Sequence, residues 1–431
     1  MDNFHDYDYQ LLRQNNARLH HFETSLDAAS NLLELSEALH ANTSLKSIRV
    51  HIHTSFAGMS PSEVLVFFEA LGSRPNLERL FFGPMRRPKQ AQIPTQALSL
   101  ALIQASKLQL LQLWGLELYG NACDFITLGA SLQRHPSLQE VKICNCRLAP
   151  PDDHDDDDNG DDDDKEKENT SSSLQAEHAY TLDPLVKALA TIQPLQKVTF
   201  NAAIQNELGA LSPECLGLLC RAPSLQAIDL QGFALDHAHI VAMLPGLCTN
   251  TGSGSKSSNS NSMSLKEICL GTVQLDETGD KNFARIIQTN TTLEYVDLKL
   301  KSGSSPVHIA QALTVNSKNH GSLRHLFIHG DITSTSQQAF AAAMEFNFVL
   351  ESMELMNGSA HLPAIRFFLQ MNALGRRELL EQHAKRRGNE TVGSSASKGK
   401  WVEALINHRK DVSALFYLLS VNPLLCASSR G

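Results

Sequence analysis

Residues 138–148 read LQEVKICNCRL. Leu138, Val141, Ile143 and Leu148 are apolar, and Val141 to Ile143 alternates with polar neighbours at the period of a β-strand. Cys146 is a small residue suited to turning the chain out of that strand. The ten residues ahead, LGASLQRHPS (128–137), begin with apolar positions at helical spacing and end in a polar, proline-containing break. One short helix and one short strand result. Neither can shield its apolar edge alone, so the phrase should recur.

It does recur. Leu-x-x-Leu-x-Leu, with Ile, Val, Met or Phe allowed at the later positions, starts at Leu45, Leu77, Leu108 and Leu138. It returns at Leu195, Leu225, Leu265, Leu293, Leu323 and Leu350, and a degenerate copy begins at Leu19. The period is about 30 residues wherever no low-complexity insertion intervenes. Helical phrases such as LSEALHANTSL, FFEALGSRPNL and FARIIQTNTTL precede the anchors. Stacked units bury one another's leucines, giving a parallel sheet on one side and helices on the other. Helices are wider than strands, so the expected array curves with its strands on the concave side.

The phrase resembles that of the ribonuclease-inhibitor-like leucine-rich-repeat proteins. Residues 138–148 fit it fully, with Cys146 at the Asn/Cys position; Leu225 to Leu235 departs only at Phe233, and Leu265 to Leu275 only at Val273. The resemblance covers roughly residues 19–360. It implies an α/β leucine-rich-repeat solenoid, a horseshoe with a parallel concave sheet and convex helices. It implies no particular partner, because such arrays bind many unrelated molecules.

The expected organisation is a repeat array over 1–360 and a C-terminal helical cap over 361–431. The cap is read from two helical segments, 362–383 and 400–425, separated by a Ser/Gly/Lys loop. Two insertions interrupt the array. Residues 249–264 form a Ser/Gly/Asn loop. Residues 150–176 are acidic, with ten Asp, two Glu and two Lys in 151–170. High like charge without apolar residues cannot offset ordering entropy, so this segment is expected to be disordered. It accounts for the formal charge of −9; the rest of the chain is nearly neutral, which argues against nucleic acid or a membrane as partner. The absence of a signal-like start and of a long apolar run points to a cytoplasmic protein. The eight cysteines are scattered through apolar segments and read as small core residues.

Chemistry-bearing motifs are tested in turn. Asp155, Asp157, Asn159, Gly160 and Glu166 match a calcium-loop phrase, but prolines and serines flank it instead of amphipathic helices, so composition explains it. Residues 393–400 fail as a phosphate loop, having five residues between the glycines and Trp401 where Ser or Thr is required. The pairs His51/His53, His237/His239 and Cys144/Cys146 lack second pairs at zinc spacing. No nucleophile elbow occurs. The expectation is no enzyme, no cofactor and no metal site.

Function should then lie on the strand face that helices leave open. Alternation places Arg49, Arg79, Phe81, Gln112, Trp114, Lys142, Asp229, Tyr295, Asp297, Phe327 and His329 there, with Gly83, Cys144, Thr199, Ala227, Gly271, His325 and Glu354 among their neighbours. Aromatics and arginines amid neutral polar groups suit a protein-binding surface. The expected function is a scaffold binding a protein partner on the concave face. The alternatives are a small-GTPase regulator, as the similar architecture of the Ran GTPase-activating protein implies, and a substrate adaptor of a ubiquitin ligase.

Overall fold

The computed structural model of the chain describes residues 10–26, 32–53, 59–84, 91–149, 181–202, 210–248, 264–318, 321–355 and 362–373, with Phe56 and Arg376. The acidic segment, the calcium-loop phrase, residues 249–263 and 393–400, and the expected helix over 400–425 lie outside the described residues. The chain divides into two compact units, residues 1–234 with 259–265 and residues 235–258 with 266–431.

In the first unit the order is β1 (His21–Leu26), α1 (Leu32–Ala41), β2 (Ser47–Ile52), α2 (Pro61–Gly72), β3 (Arg79–Gly83), β4 (Ala91–Pro94), α3 (Thr95–Gln104) and β5 (Leu110–Trp114). It continues with β6 (Leu116–Tyr119), α4 (Ala122–Gln133), β7 (Glu140–Cys144), β8 (Arg147–Ala149), α5 (Asp183–Leu189), β9 (Lys197–Asn201), α6 (Pro213–Cys220) and β10 (Ala227–Leu235). One parallel sheet runs β1-β2-β3-β5-β7-β9-β10. Its register sets Phe22, Ile48, Leu80, Leu111, Val141, Val198 and Ile228 side by side, so the second anchors of successive repeats form one apolar row. The degenerate first copy is genuine: β1 pairs with β2, and Thr24 is buried where later repeats carry an apolar side chain. A second parallel sheet, β4-β6-β8, forms at the approach to the helices.

The second unit contains α7 (His237–Leu247), β11 (Glu267–Val273), α8 (Glu277–Thr289), β12 (Tyr295–Leu300), α9 (Val307–Lys318), β13 (His325–His329), α10 (Ser334–Phe346), β14 (Ser352–Leu355) and α11 (Leu362–Ala373). Strands β11-β12-β13-β14 are parallel neighbours, with Ile268, Val296, Leu326 and Met353 in one row. All ten anchor leucines, in both units, are buried. Within each unit every helix packs on the next, closing the side of the sheet that the anchors occupy.

Local signals place the helices. Asn121, Ser212, Asp236, Asp276 and Thr333 cap their helices through side-chain oxygens, and Pro61 and Pro213 occupy first-turn positions. The turn after the strand is equally regular. Asn145 and Gly232, each seven residues past an anchor leucine, have φ of 52° and 102°. At Gly232 a Cβ would lie 2.3 Å from the Ala202 carbonyl oxygen, so neither conformation nor space admits a side chain.

Buried polar side chains near several helix C-termini reach back to backbone carbonyls earlier in the chain. Asn290 Nδ2 donates to the Leu247 carbonyl at 2.8 Å, Asn347 Nδ2 to Leu313 at 2.8 Å and Asn372 Nδ2 to Leu350 at 2.8 Å. In the first unit Asn42 donates to Leu12, His135 reaches the Ala105 carbonyl at 2.8 Å, and Arg74 donates to the His40 and Asn42 carbonyls at 2.8 Å. Burial lowers the pKa of Arg74 and of His135, the latter partly offset by its backbone bond. Between repeats of the second unit, the buried Asp280 carboxylate accepts from His308 N at 2.8 Å and Ile309 N at 3.1 Å, capping α9 from α8.

The residues following the anchors form a rim. Lys46 pairs with Glu78 and Lys266 with Glu294, each at 3.4 Å, and Arg324 pairs with Glu351. These pairs are about half exposed and worth a few tenths of a kcal/mol each, in the range of about 0–1 kcal/mol.

Candidate functional site

Alternation along each strand sends one set of side chains into the core and the other to the open face. On the first unit's face, Arg49, Arg79 and Trp114 are exposed, while Phe81, Gln112, Lys142 and Asp229 are half-buried. The Arg49 guanidinium lies 5.0 Å from the centre of the Phe81 ring, and the His51 ring meets the same phenyl at 5.9 Å, edge to face. Glu23 of β1 accepts from His51 Nε2 at 2.7 Å and stands 3.8 Å from Arg49. Lys142 pairs with Glu140 at 2.9 Å. Arg79 has no carboxylate partner among the described residues.

Gly83 is buried, and its lack of a side chain lets Phe81 and Trp114 close over it. A Cβ there would stand 2.9 Å from Phe81 Cζ and 3.2 Å from Trp114 Cβ. The indole remains 43% exposed.

On the second unit's face, Tyr295 and Phe327 stack at 5.3 Å with a tilt of 32°, and His325 lies 6.1 Å from Tyr295. His329 Nε2 is 3.1 Å from Asp297 Oδ1. The register aligns Asp297, Phe327 and Glu354 across three adjacent strands. Burial raises the pKa of Asp297; His329 works against that rise and Glu354 adds to it. The expected site residues thus fall into two groups, one on each unit.

Simple alternation fails at some positions. Cys144, Thr199 and Ala227 are nearly inaccessible although they point to the open side. The register of β11 slips between Leu270 and Thr272, so Gly271 is buried and Thr272 takes the half-buried place expected for it. Glu23 and His51 complete the Arg49–Phe81 cluster; strand alternation places His51 on the open face beside Arg49, while β1's weak phrase gives Glu23 no signal. Burial pushes the thiols of Cys144 and Cys215 up to about 11 and those of Cys146 and Cys220 up to about 12, which leaves them unreactive near neutral pH. Among the described residues, no group of three or more His, Cys, Asp or Glu is arranged to hold a metal, and no helix is long and apolar enough to cross a membrane.

No protein-family model and no curated protein matches the sequence. Solved structures do. The chain is similar to a TLR13 chain in a TLR13–ssRNA13 complex, at 14% identity and TM-score 0.34, over 77% of this chain and 35% of that one. It is also similar to an internalin, InlF, from Listeria monocytogenes, at 10% identity and TM-score 0.35, over 81% of this chain and 89% of that one. It therefore spans about a third of the TLR13 chain. Buried leucines recurring at a fixed place in every strand–helix unit decide the matter. The fold is an α/β leucine-rich-repeat solenoid.

Proposed function

We propose that the chain is a non-catalytic scaffold, of the ribonuclease-inhibitor-like kind, that binds a protein partner on its open strand faces. Trp114 carries the reading. It is a tryptophan held half-exposed at the end of β5, packed with Phe81 over the buried Gly83 of the neighbouring strand β3, which also carries Arg79, exposed and without a carboxylate partner among the described residues. Large aromatics and arginines of this kind anchor protein interfaces, and truncating one commonly costs about 2 kcal/mol or more. A unit of about 30 residues with a full helix in most repeats supports the subtype. A protein is favoured over nucleic acid because acidic Glu23, Glu140 and Asp229 interrupt the basic residues of this face. Cys144, Cys146, Cys215 and Cys220, buried and outside any disulfide among the described residues, support a cytoplasmic setting.

Affinity capture with the wild type, Trp114→Ala and Phe327→Ala, each checked for its native unfolding transition, tests the reading. Partners lost from the variants are the expected result. Identical partner sets from all three proteins would overturn it.

A further inference from the structure

The second unit's face differs chemically from its own rim. On the rim, each carboxylate that follows an anchor meets a cation from the neighbouring repeat, as Lys266–Glu294 and Arg324–Glu351 show. On the face, Glu267 and Glu354 are exposed and have no ion-pair partner among the described residues. Among the described residues Asp297 pairs with His329 alone. Lys299 is the single permanent cation among the outward residues of these strands. Three carboxylates therefore face one lysine and two histidines, His325 and His329.

Their placement adds direction to this excess. Phe327 sits between Asp297 and Glu354 in the register, with the two carboxylate-bearing strands about 10 Å apart on either side. Tyr295 stacks on the same phenyl ring. An aromatic surface flanked on both sides by carboxylates suits a cation lying over the rings with hydrogen-bond acceptors at its edges. A planar guanidinium meets both demands, and an ammonium meets the first.

We infer that the face formed by Tyr295, Asp297, Phe327 and Glu354 receives an arginine or lysine side chain projecting from an extended or looped segment of a protein partner. The inference rests on the protein-binding reading above and names the chemistry that this unit recognises. The raised pKa of Asp297 agrees with it, because Glu354 and burial both work against a charge that an incoming cation would favour.

The test is selection of a displayed random-peptide library on the full chain, with an Asp297→Asn/Glu354→Gln double variant as the comparison. The variant keeps the acidic segment 150–176, so basic peptides held there bind both proteins alike and drop out of the difference. Wild-type-selective peptides should be enriched in Arg or Lys at one fixed position, and the double variant should bind them at least about tenfold more weakly. Replacing that position with norleucine should abolish binding. Peptides without basic enrichment, or equal binding to both proteins, would overturn the assignment. If Phe327→Ala loses captured partners while the peptides lack basic enrichment, the cation assignment alone fails. If Phe327→Ala and Trp114→Ala keep every partner, the protein-binding reading fails with it.

Discussion

A carboxylate held beside a phenyl ring and in the field of a second carboxylate is costly to ionise, and Asp297 is in that position. Burial comes first among the causes of its raised pKa; His329 works against the rise and Glu354 adds to it. Between the unfolded value, about 3.9, and its raised folded value, the folded chain holds more protons than the unfolded one. Its contribution to stability therefore falls as pH rises through that window. Asp297→Asn should raise the calorimetric unfolding midpoint at neutral pH and flatten the decline that sets in as pH rises above the unfolded value. An unchanged or lowered midpoint would contradict this account. The same substitution should weaken binding of a basic peptide, so stability and recognition move in opposite directions at one residue.

At the scale of one strand–turn–helix unit, the polar residue three places before an anchor leucine matters as much as the leucine. In the turn between α10 and β14, Asn347 accepts from Val349 N at 3.0 Å and Leu350 N at 2.8 Å, and it donates to the Leu313 carbonyl in α9 of the preceding repeat. Asn347→Ala leaves these groups unpaired, at about 1–3 kcal/mol each, so a total loss of about 3 kcal/mol is expected in denaturant unfolding. Amide exchange should quicken at Val349 and Leu350 before it does in β12. The feature was legible in the sequence, since Asn42, Asn290 and Asn347 each stand three residues ahead of an anchor. So was the left-handed turn: Gly115, Asn145, Gly232 and Gly330 each follow an anchor by seven. An apolar period draws attention to what is shielded from water, and these polar positions fall outside it.

Across the whole molecule, the strand–helix alternation was readable because burial of a leucine in each repeat demands the next repeat. The first copy was harder to see, since Thr24 fills an apolar position in β1. The candidate face was readable only in part. A strand's own alternation says which way Thr199 and Ala227 point, but not that both are buried there. Nor does it give the slip at Gly271, or the meeting of Asp297 with His329 from a different repeat. One property of the rim has a bearing on how such a chain can lengthen or shorten. Through the second unit it runs Lys266, Glu294, Arg324, Glu351, alternating in sign from repeat to repeat. Excising residues 293–322 would set Lys266 beside Arg324, two like charges in adjacent strands. Excising 293–349 would instead restore an opposite-sign neighbour, Glu351. Comparing the thermal midpoints of the two deletions after neutralising Lys266 with Gln isolates this effect: neutralisation should help the first deletion and not the second. Such a chain carries a parity, so gain or loss of repeats in twos meets less electrostatic resistance than gain or loss of one.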